Sequence, residues 1–594
     1  MKRFTRLGVV FSRVMLMVAV ALWVHVAQAQ VLEQVPSDAL VVVHAKNLQS
    51  ISTKIAALAK QWGIVEMNPA MSDPLGYLLG QAKITDGLDK SGDAAMVLAN
   101  GDLKAEPPPM ILLIPVTDYQ KFIGNFAGAQ KDGELDKFKM SFGGEPGDED
   151  TYAANWGHYA ALTPTKALLA KKPEGFKPSP AAAKEIASKD IVAIANMKVL
   201  GPLAKQHIEE NKDKVNGQID SGLSGLPEAA PYIPVLKVCF TQGVNAAERF
   251  LTETDCAGLS IDLQPDGVGV GLLADFVADS YLAKNIASVK GTEGSLMTGL
   301  PDGKYLMSGG GRNDAEDLKK AFDEFLAPIQ DSLSKGNETM QHISTYIDAL
   351  KSSMHDQQAG SFGLITPTGA LGTPLLQTIM EQKGDAAALL KDQKTMMVSQ
   401  QEIMNLLPNQ PKMTVDVKPD AKTVDGVSFT QFTTTITDSS SPSAAMAKQM
   451  MNMFYGPNGP QAFTGVVDEH HLMMYTGLDD AVVSAAIKAV KDQNDPFIKD
   501  EGINLVRKHL PQIKVSEMYL NVADIVTTAV TYAKMLGMPL PVTMKAGVPP
   551  VGFAIATDGP SMRGDMYVPS DLIEQIVAMA LQFNMGGGAK NGGL

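Results

Sequence analysis

Asp468-Glu469-His470-His471 sets four side chains able to bind a metal in a row, and imidazole with carboxylate is a donor set that zinc and copper both accept. His470 and His471 are the candidate metal ligands of this sequence. Their spacing weakens the case. Gly465–Val467 and Leu472–Tyr475 alternate as the two arms of a hairpin, so the tetrad falls on the turn, where adjacent side chains point apart instead of converging. A similar turn, Asn155-Trp156-Gly157-His158, offers one imidazole. Methionine supplies a second candidate chemistry. Of 32 methionines, Met446, Met450, Met451 and Met453 share one short segment, while Met473 and Met474 follow the histidines. Thioethers with imidazoles can hold Cu(I). The i, i+4, i+7 spacing of Met446, Met450 and Met453 is also that of any buried helix face, and core packing is the expectation.

Three further groups have residue types that could support chemistry. Ser308-Gly309-Gly310-Gly311-Arg312 stands where a Gly-rich turn could bring helix N–H groups to a phosphate, but the rest of a phosphate-loop or dinucleotide signature is missing, which leaves a tight turn with an outward Arg. Ser332 and Lys335 have the Ser-x-x-Lys spacing of penicillin-recognising enzymes. The companion motifs are lacking, and Lys335-Gly336-Asn337 reads as a solvated helix end, not the desolvated setting an activated lysine needs. Cys239 and Cys256 are the two cysteines. They allow one disulfide, worth about 3 kcal/mol through loop entropy, or two buried free thiols. No catalytic residue is assigned.

The elements that must position these groups show an internal repetition. Leu259–Leu263 and Val268–Leu272 flank a Pro265-Asp266-Gly267 turn, and a helix follows. Phe553–Ile555 and Met566–Val568 flank an Asp558-Gly559 turn, again with a helix after it. Four buried strands run into helices through an asparagine suited to cap the helix start: Asn47, Asn196, Asn313 and Asn521, although at Asn196 and Asn521 the strand can continue past the Asn and leave the cap a few residues later. Asn47 and Asn313 lie 266 residues apart, Asn196 and Asn521 lie 325 apart, and the longer spacing implies an insertion in the second half. Met110–Val116 pairs in pattern with Leu375–Met380, and Tyr152–Leu162 with Gly465–Tyr475. The expected fold is α+β, with two tandem related halves, each a mixed or antiparallel sheet covered by helices. Residues 30–295 form the first half, 296–585 the second with its insertion near 413–460, and 586–594 a flexible Gly-rich tail.

The N-terminus supplies the compartment. Lys2, Arg3, Arg6 and Arg13 precede an apolar run, Val14–Val24, and a small-x-small site, Ala27-Gln28-Ala29. This is the pattern of a secretory signal peptide over residues 1–29, too short for a membrane anchor. Its removal leaves a chain starting at Gln30 and moves the formal net charge from −14 to −18. That acidity excludes non-specific nucleic-acid binding as a partner class. A periplasmic or extracellular location follows, with no membrane span in the mature chain.

The leader, the opening Val35-Pro36-Ser37-Asp38-Ala39-Leu40-Val41-Val42-Val43 and the duplicated α+β pattern resemble large exported proteins of planctomycete-type bacteria. The resemblance implies fold and compartment and brings no activity or site residues. The functional expectation is an exported non-catalytic binding or structural protein of the cell envelope, with an envelope component or another protein as partner and no cofactor. The competing readings are a secreted hydrolase with a site between the halves, metal-assisted through His470 and His471, and copper handling by the Met-rich segment.

Overall fold

The computed structural model describes residues 31–105, 107–140, 150–224, 232–367, 374–406, 412–437, 442–456, 459–535, 537–538, 540 and 542–587. The signal peptide and the end of the Gly-rich tail lie outside the described residues. The fold is mixed α+β, with large antiparallel sheets and helices. The chain forms two compact units. Unit 1 holds residues up to Gln206, Phe250–Ser280 and those from Ser561; unit 2 holds His207–Arg249 and Tyr281–Pro560.

The strands of unit 1 are β1 (Val41–Ala45), β2 (Ala94–Leu98), β3 (Met110–Pro115), β4 (Gln130–Asp132), β5 (Leu135–Lys139), β6 (Asp150–Asn155), β7 (Tyr159–Thr163), β8 (Ile191–Asn196), β9 (Thr254–Gln264) and β10 (Gly267–Phe276). Their order is β4-β5-β6-β7-β3-β2-β1-β8-β9-β10, every neighbour antiparallel. Strand alternation explains the layers. On one face Val42, Ala95, Val97, Ile111, Val192 and Ile194 meet Ala182 and Ile186 of the helix Pro180–Ser188. On the other, Val43, Ala45 and Ile191 pack against Leu48, Ile51 and Leu58 of the helix Leu48–Gln61, as its apolar spacing predicts.

In unit 2 the strands are β11 (Thr292–Glu293), β12 (Tyr305–Arg312), β13 (Gln357–Ile365), β14 (Gln377–Gly384), β15 (Met413–Val424), β16 (Val427–Ile436), β17 (Gln461–Asp468), β18 (His471–Thr476), β19 (Ile513–Lys514), β20 (Ser516–Leu520) and β21 (Val551–Asp558). The main sheet runs β15-β16-β17-β18-β14-β13-β12-β20-β21, again antiparallel throughout, and β11 pairs with β19. Long helices follow β12 and β14. Ile329, Leu333 and Met340 of Glu316–Ser334 and Glu338–Asp356 form a cluster with Val235, Val238 and Cys239 of the helix Ile233–Glu253. The last strand, β22 (Ser561–Pro569), belongs to unit 1 and lies antiparallel to β10, with the helix Ser570–Gly587 after it.

The asparagine junctions divide in their roles. Asn47 caps its helix by accepting from Ser50 N–H at φ +61°, and Asn521 accepts from Asp524 N–H at 3.1 Å while its amide donates to Asp524 Oδ2 at 3.0 Å. Asn313 does not cap. Its amide donates to the Met354 carbonyl at 2.9 Å, and Ala315 occupies the cap position without a side-chain bond. Asn196 ends β8 and donates to the Ser37 carbonyl at 3.3 Å. The glycine run is also corrected. Ser308–Arg312 is not a turn but the last five residues of β12, paired with β13 on one side and β20 on the other, and Gly310 is required there because a Cβ would stand 1.8 Å from the Leu296 carbonyl oxygen.

Candidate functional site

His471 opens β18 and Asp468 ends β17, and a register shift between Val466 and Asp468 sets the two opposite each other across the turn. The bulge defeats the simple alternation expected from the sequence. Imidazole Nδ1 lies 2.7 and 2.9 Å from the Asp468 carboxylate oxygens, and Nε2 lies 3.9 Å from Oε1 of Glu381 on β14. Gln493 brings its amide nitrogen to 3.4 Å from Nε2. His470 is exposed and contributes its backbone N–H to Asp468 Oδ1 at 2.9 Å. The turn is stitched to the end of β14 by Gly384 N–H donating to the His470 carbonyl at 2.9 Å. The two sequence candidates are thus separated in role, and the carboxylate that completes the arrangement, Glu381, lies 90 residues earlier with no local motif to announce it.

Environment separates the two carboxyls. Burial pushes Glu381 up to about 7, with Lys383 opposing and Asp468 assisting. Burial also acts upward on Asp468, but bonds from His470 and His471 outweigh it and hold the group below its ordinary value. An imidazole oriented by one carboxylate and facing a second that ionises near neutrality can accept and return a proton. Among the described residues no group of three or more His, Cys, Asp or Glu side chains is arranged to hold a metal ion.

The remaining candidates lie in varied settings. Met446 and Met450 are 65% and 50% exposed on the helix Pro442–Tyr455, so the core packing expected from their spacing does not occur there. Met473 is fully buried. Lys335 terminates its helix in solvent and pairs with Asp331 at 2.6 Å, the solvated end expected of it. The cysteines are not joined. Cys239 is a free thiol in the helix Ile233–Glu253, and Cys256 is a buried free thiol on β9, 3.2 Å from Ser179 Oγ. Burial raises both thiols, which keeps them protonated and poor nucleophiles.

Unit 1 contains pockets that the motif reading missed. The segment Lys171–Ser179 leads into the helix Pro180–Ser188 and is tied down where Phe176 N–H donates to the Leu32 carbonyl at 2.8 Å. Gly175, at φ +95°, passes 3.1 Å from the Glu33 backbone as measured from the position of an added Cβ. A cavity of about 450 Å³ on this segment is lined by Leu32, Phe176, Pro178, Ala183 and Ile186. A second, of about 340 Å³, shares Glu174–Lys177 and adds Ser179, Asn196, Lys198, Asp255 and Cys256. Both are of ligand size. The one sequence signal is Pro173, Gly175 and Pro178 within six residues, which marks a loop but not a cavity.

No family model and no curated protein matches the chain. Two solved structures are similar to part of it. They are titled "Structure of crystal form III of TP0453" and "Structure of crystal form IV of TP0453", each 10% identical with a TM-score of 0.18, spanning 48% of this chain and 99% and 97% of their own. Among the described residues no helix is long and apolar enough to cross a membrane.

Proposed function

We propose that this is an exported, non-catalytic binding or structural protein of the cell envelope, built from two related α+β halves. The observation that carries the reading is a repeated register. His44 on β1 stands opposite Ala95 and Val192, and Gly310 on β12 stands opposite Ser361 and Glu517. The offset from His44 to Gly310 is the 266 residues between Asn47 and Asn313, and that from Val192 to Glu517 is the 325 between Asn196 and Asn521. Ile191 opposite Ile261 and Ser516 opposite Ile555 keep the 294-residue offset that also separates the hairpin ends Gln264 and Asp558. The strand orders of the two sheets match from β1 to β9 and from β12 to β21.

What repeats is scaffold. By the same sheet order β14 corresponds to β3 and β18 to β7, strands in which Glu381 and His471 have no acidic or imidazole counterpart. Conserving a frame while leaving its chemistry unrepeated suits a module that presents surfaces and pockets. The two cavities along Glu174–Lys177 are where a small ligand would bind. The leader supports a periplasmic or extracellular location.

One arrangement favours a second reading. Asp468, His471 and Glu381 together resemble an acid–base centre, as a secreted hydrolase would need. A panel of ester, phosphoester, peptide and glycoside substrates, run on the wild type and on His471→Ala, decides between them. The binding reading expects equal background rates. Turnover lost in His471→Ala would replace it with the hydrolase.

A further inference from the structure

The two cavities of unit 1 share Glu174–Lys177 and differ in what lines the rest. In the larger, Ala183, Ile186 and Ala187 come from one side of the helix Pro180–Ser188 at i, i+3, i+4 spacing, and Leu32, Phe176 and Pro178 complete an apolar lining. Alanine at 183 and 187 leaves volume that longer side chains would fill. Leu32, Phe176 and Ile186 belong to the core of unit 1, whereas Ala183 and Ala187 are exposed, so the cavity runs from solvent at its alanines to core side chains. Water gains little there, and an alkyl chain gains from leaving solvent.

Charge is placed at one end of this apolar volume. The smaller cavity has four charged lining residues, Glu174, Lys177, Lys198 and Asp255. Three of them are matched, Lys198 with Asp255 at 3.0 Å and Glu174 with Lys171 at 3.8 Å. Lys177 has no ion-pair partner among the described residues, and it lines both cavities. The surrounding sequence has the same sign. From Lys166 to Lys184 there are five lysines and one acid, Glu174, in a chain whose formal net charge is −14. A local field of that sign draws an anion to a surface that is acidic elsewhere.

We propose that this site takes a single-chain anionic amphiphile, its alkyl chain in the apolar cavity and its carboxylate or phosphate head on the Lys177 ammonium. The proposal rests on the reading of the protein as a binding module with its ligand in these cavities. Lys177 donates to the head in a charge-assisted bond, and the polar cavity keeps the rest of the head hydrated. A short anion would forgo burial of the chain, and an alkyl cation would meet Lys177 with like charge.

Calorimetric titration of the full mature chain tests this with dodecanoate and dodecyl phosphate, each kept below its micelle threshold, beside acetate, inorganic phosphate and dodecyltrimethylammonium. The dodecyl anions are expected to bind and the other three probes not to, and the tighter of the two anions identifies the head as carboxylate or phosphate. Ala183→Trp fills the apolar cavity from an exposed position and should abolish binding, with Ala187→Trp as the second such variant should the first melt without cooperativity. Lys177→Gln should weaken binding about tenfold, the loss of one hydrogen bond to a charged group. Lys177→Glu should move the preference to the alkyl cation. Absence of binding by both dodecyl anions, equal binding of the alkyl cation by the unaltered chain, binding of the short anions alone, or dodecyl anion binding unchanged in a folded tryptophan variant overturns the proposal. The non-catalytic reading fails by a different measurement, turnover lost in His471→Ala, so the two failures are told apart.

Discussion

His44 Nε2 stands 3.3 Å from Asp93 Oδ2, with both side chains wholly withdrawn from solvent in the core of unit 1. His44 Nδ1 and Asp93 Oδ1 are buried without a hydrogen-bond partner. A pair so placed is held together by mutual compensation, so removing one member strands the other. Asp93→Ala should destabilise unit 1 by about 3 kcal/mol, whereas His44→Leu combined with Asp93→Leu should recover most of that loss. Denaturant melts of the three chains check it.

Glu381 gives a pH dependence with a defined sign. Its folded value, about 7, lies above the ordinary 4.5, so the folded state holds the extra proton between those limits. Stability should therefore fall as pH rises from 4.5 to about 7 and then level off, by about 3 kcal/mol for a shift of this size. Asp468 acts in the opposite sense at lower pH, because its depressed value supplies stability that is lost only as pH falls below the ordinary 3.8. Melting curves of Glu381→Gln should lack the decline between 4.5 and 7 and keep the acid limb.

Gly310 is fixed by a backbone neighbour. A Cβ there would meet the Leu296 carbonyl oxygen at 1.8 Å, while at Gly269 the nearest atom would be Asp262 Cβ at 3.5 Å, an ordinary contact. Gly310→Ala should cost about 3 kcal/mol or more through forced strand displacement, and Gly269→Ala should stay within about 1 kcal/mol. Thermal melts of the two variants make the comparison directly.

The helix starts divide in the same measurable way. Asn521→Ala removes a reciprocal cap and should cost about 1 kcal/mol, and Asn47→Ala at least as much, because alanine tolerates φ +61° poorly. Asn313→Ala removes only the bond to the Met354 carbonyl. Equal losses at Asn313 and Asn521 would count against this division.

Much of the frame was legible in the chain because strand and helix periods and turn residues are local signals. The Pro265-Asp266-Gly267 hairpin and the apolar stripe from Leu48 to Leu58 both formed as read. The site was less legible for reasons of register and distance. A bulge near Asp468 turned an apparently divergent tetrad into one convergent pair, and Glu381 joined it through the β14–β18 ladder. Gly309–Gly311 resembled a turn because composition cannot show that a carbonyl passes over the strand. The Met446 and Met450 stripe has the spacing of a core face yet lies exposed, since helical spacing reveals a common face but not what covers it.

Metal and activity analysis of the natively exported protein beside its His470→Ala, His471→Ala form separates a scaffold from an enzyme. The expected result is a chain beginning at Gln30 that retains no stoichiometric zinc or copper after loading, with both forms equally inactive on the hydrolase panel. Stoichiometric metal, or turnover, present in the wild type and lost in the variant would contradict a non-catalytic scaffold and place the protein's chemistry at His471.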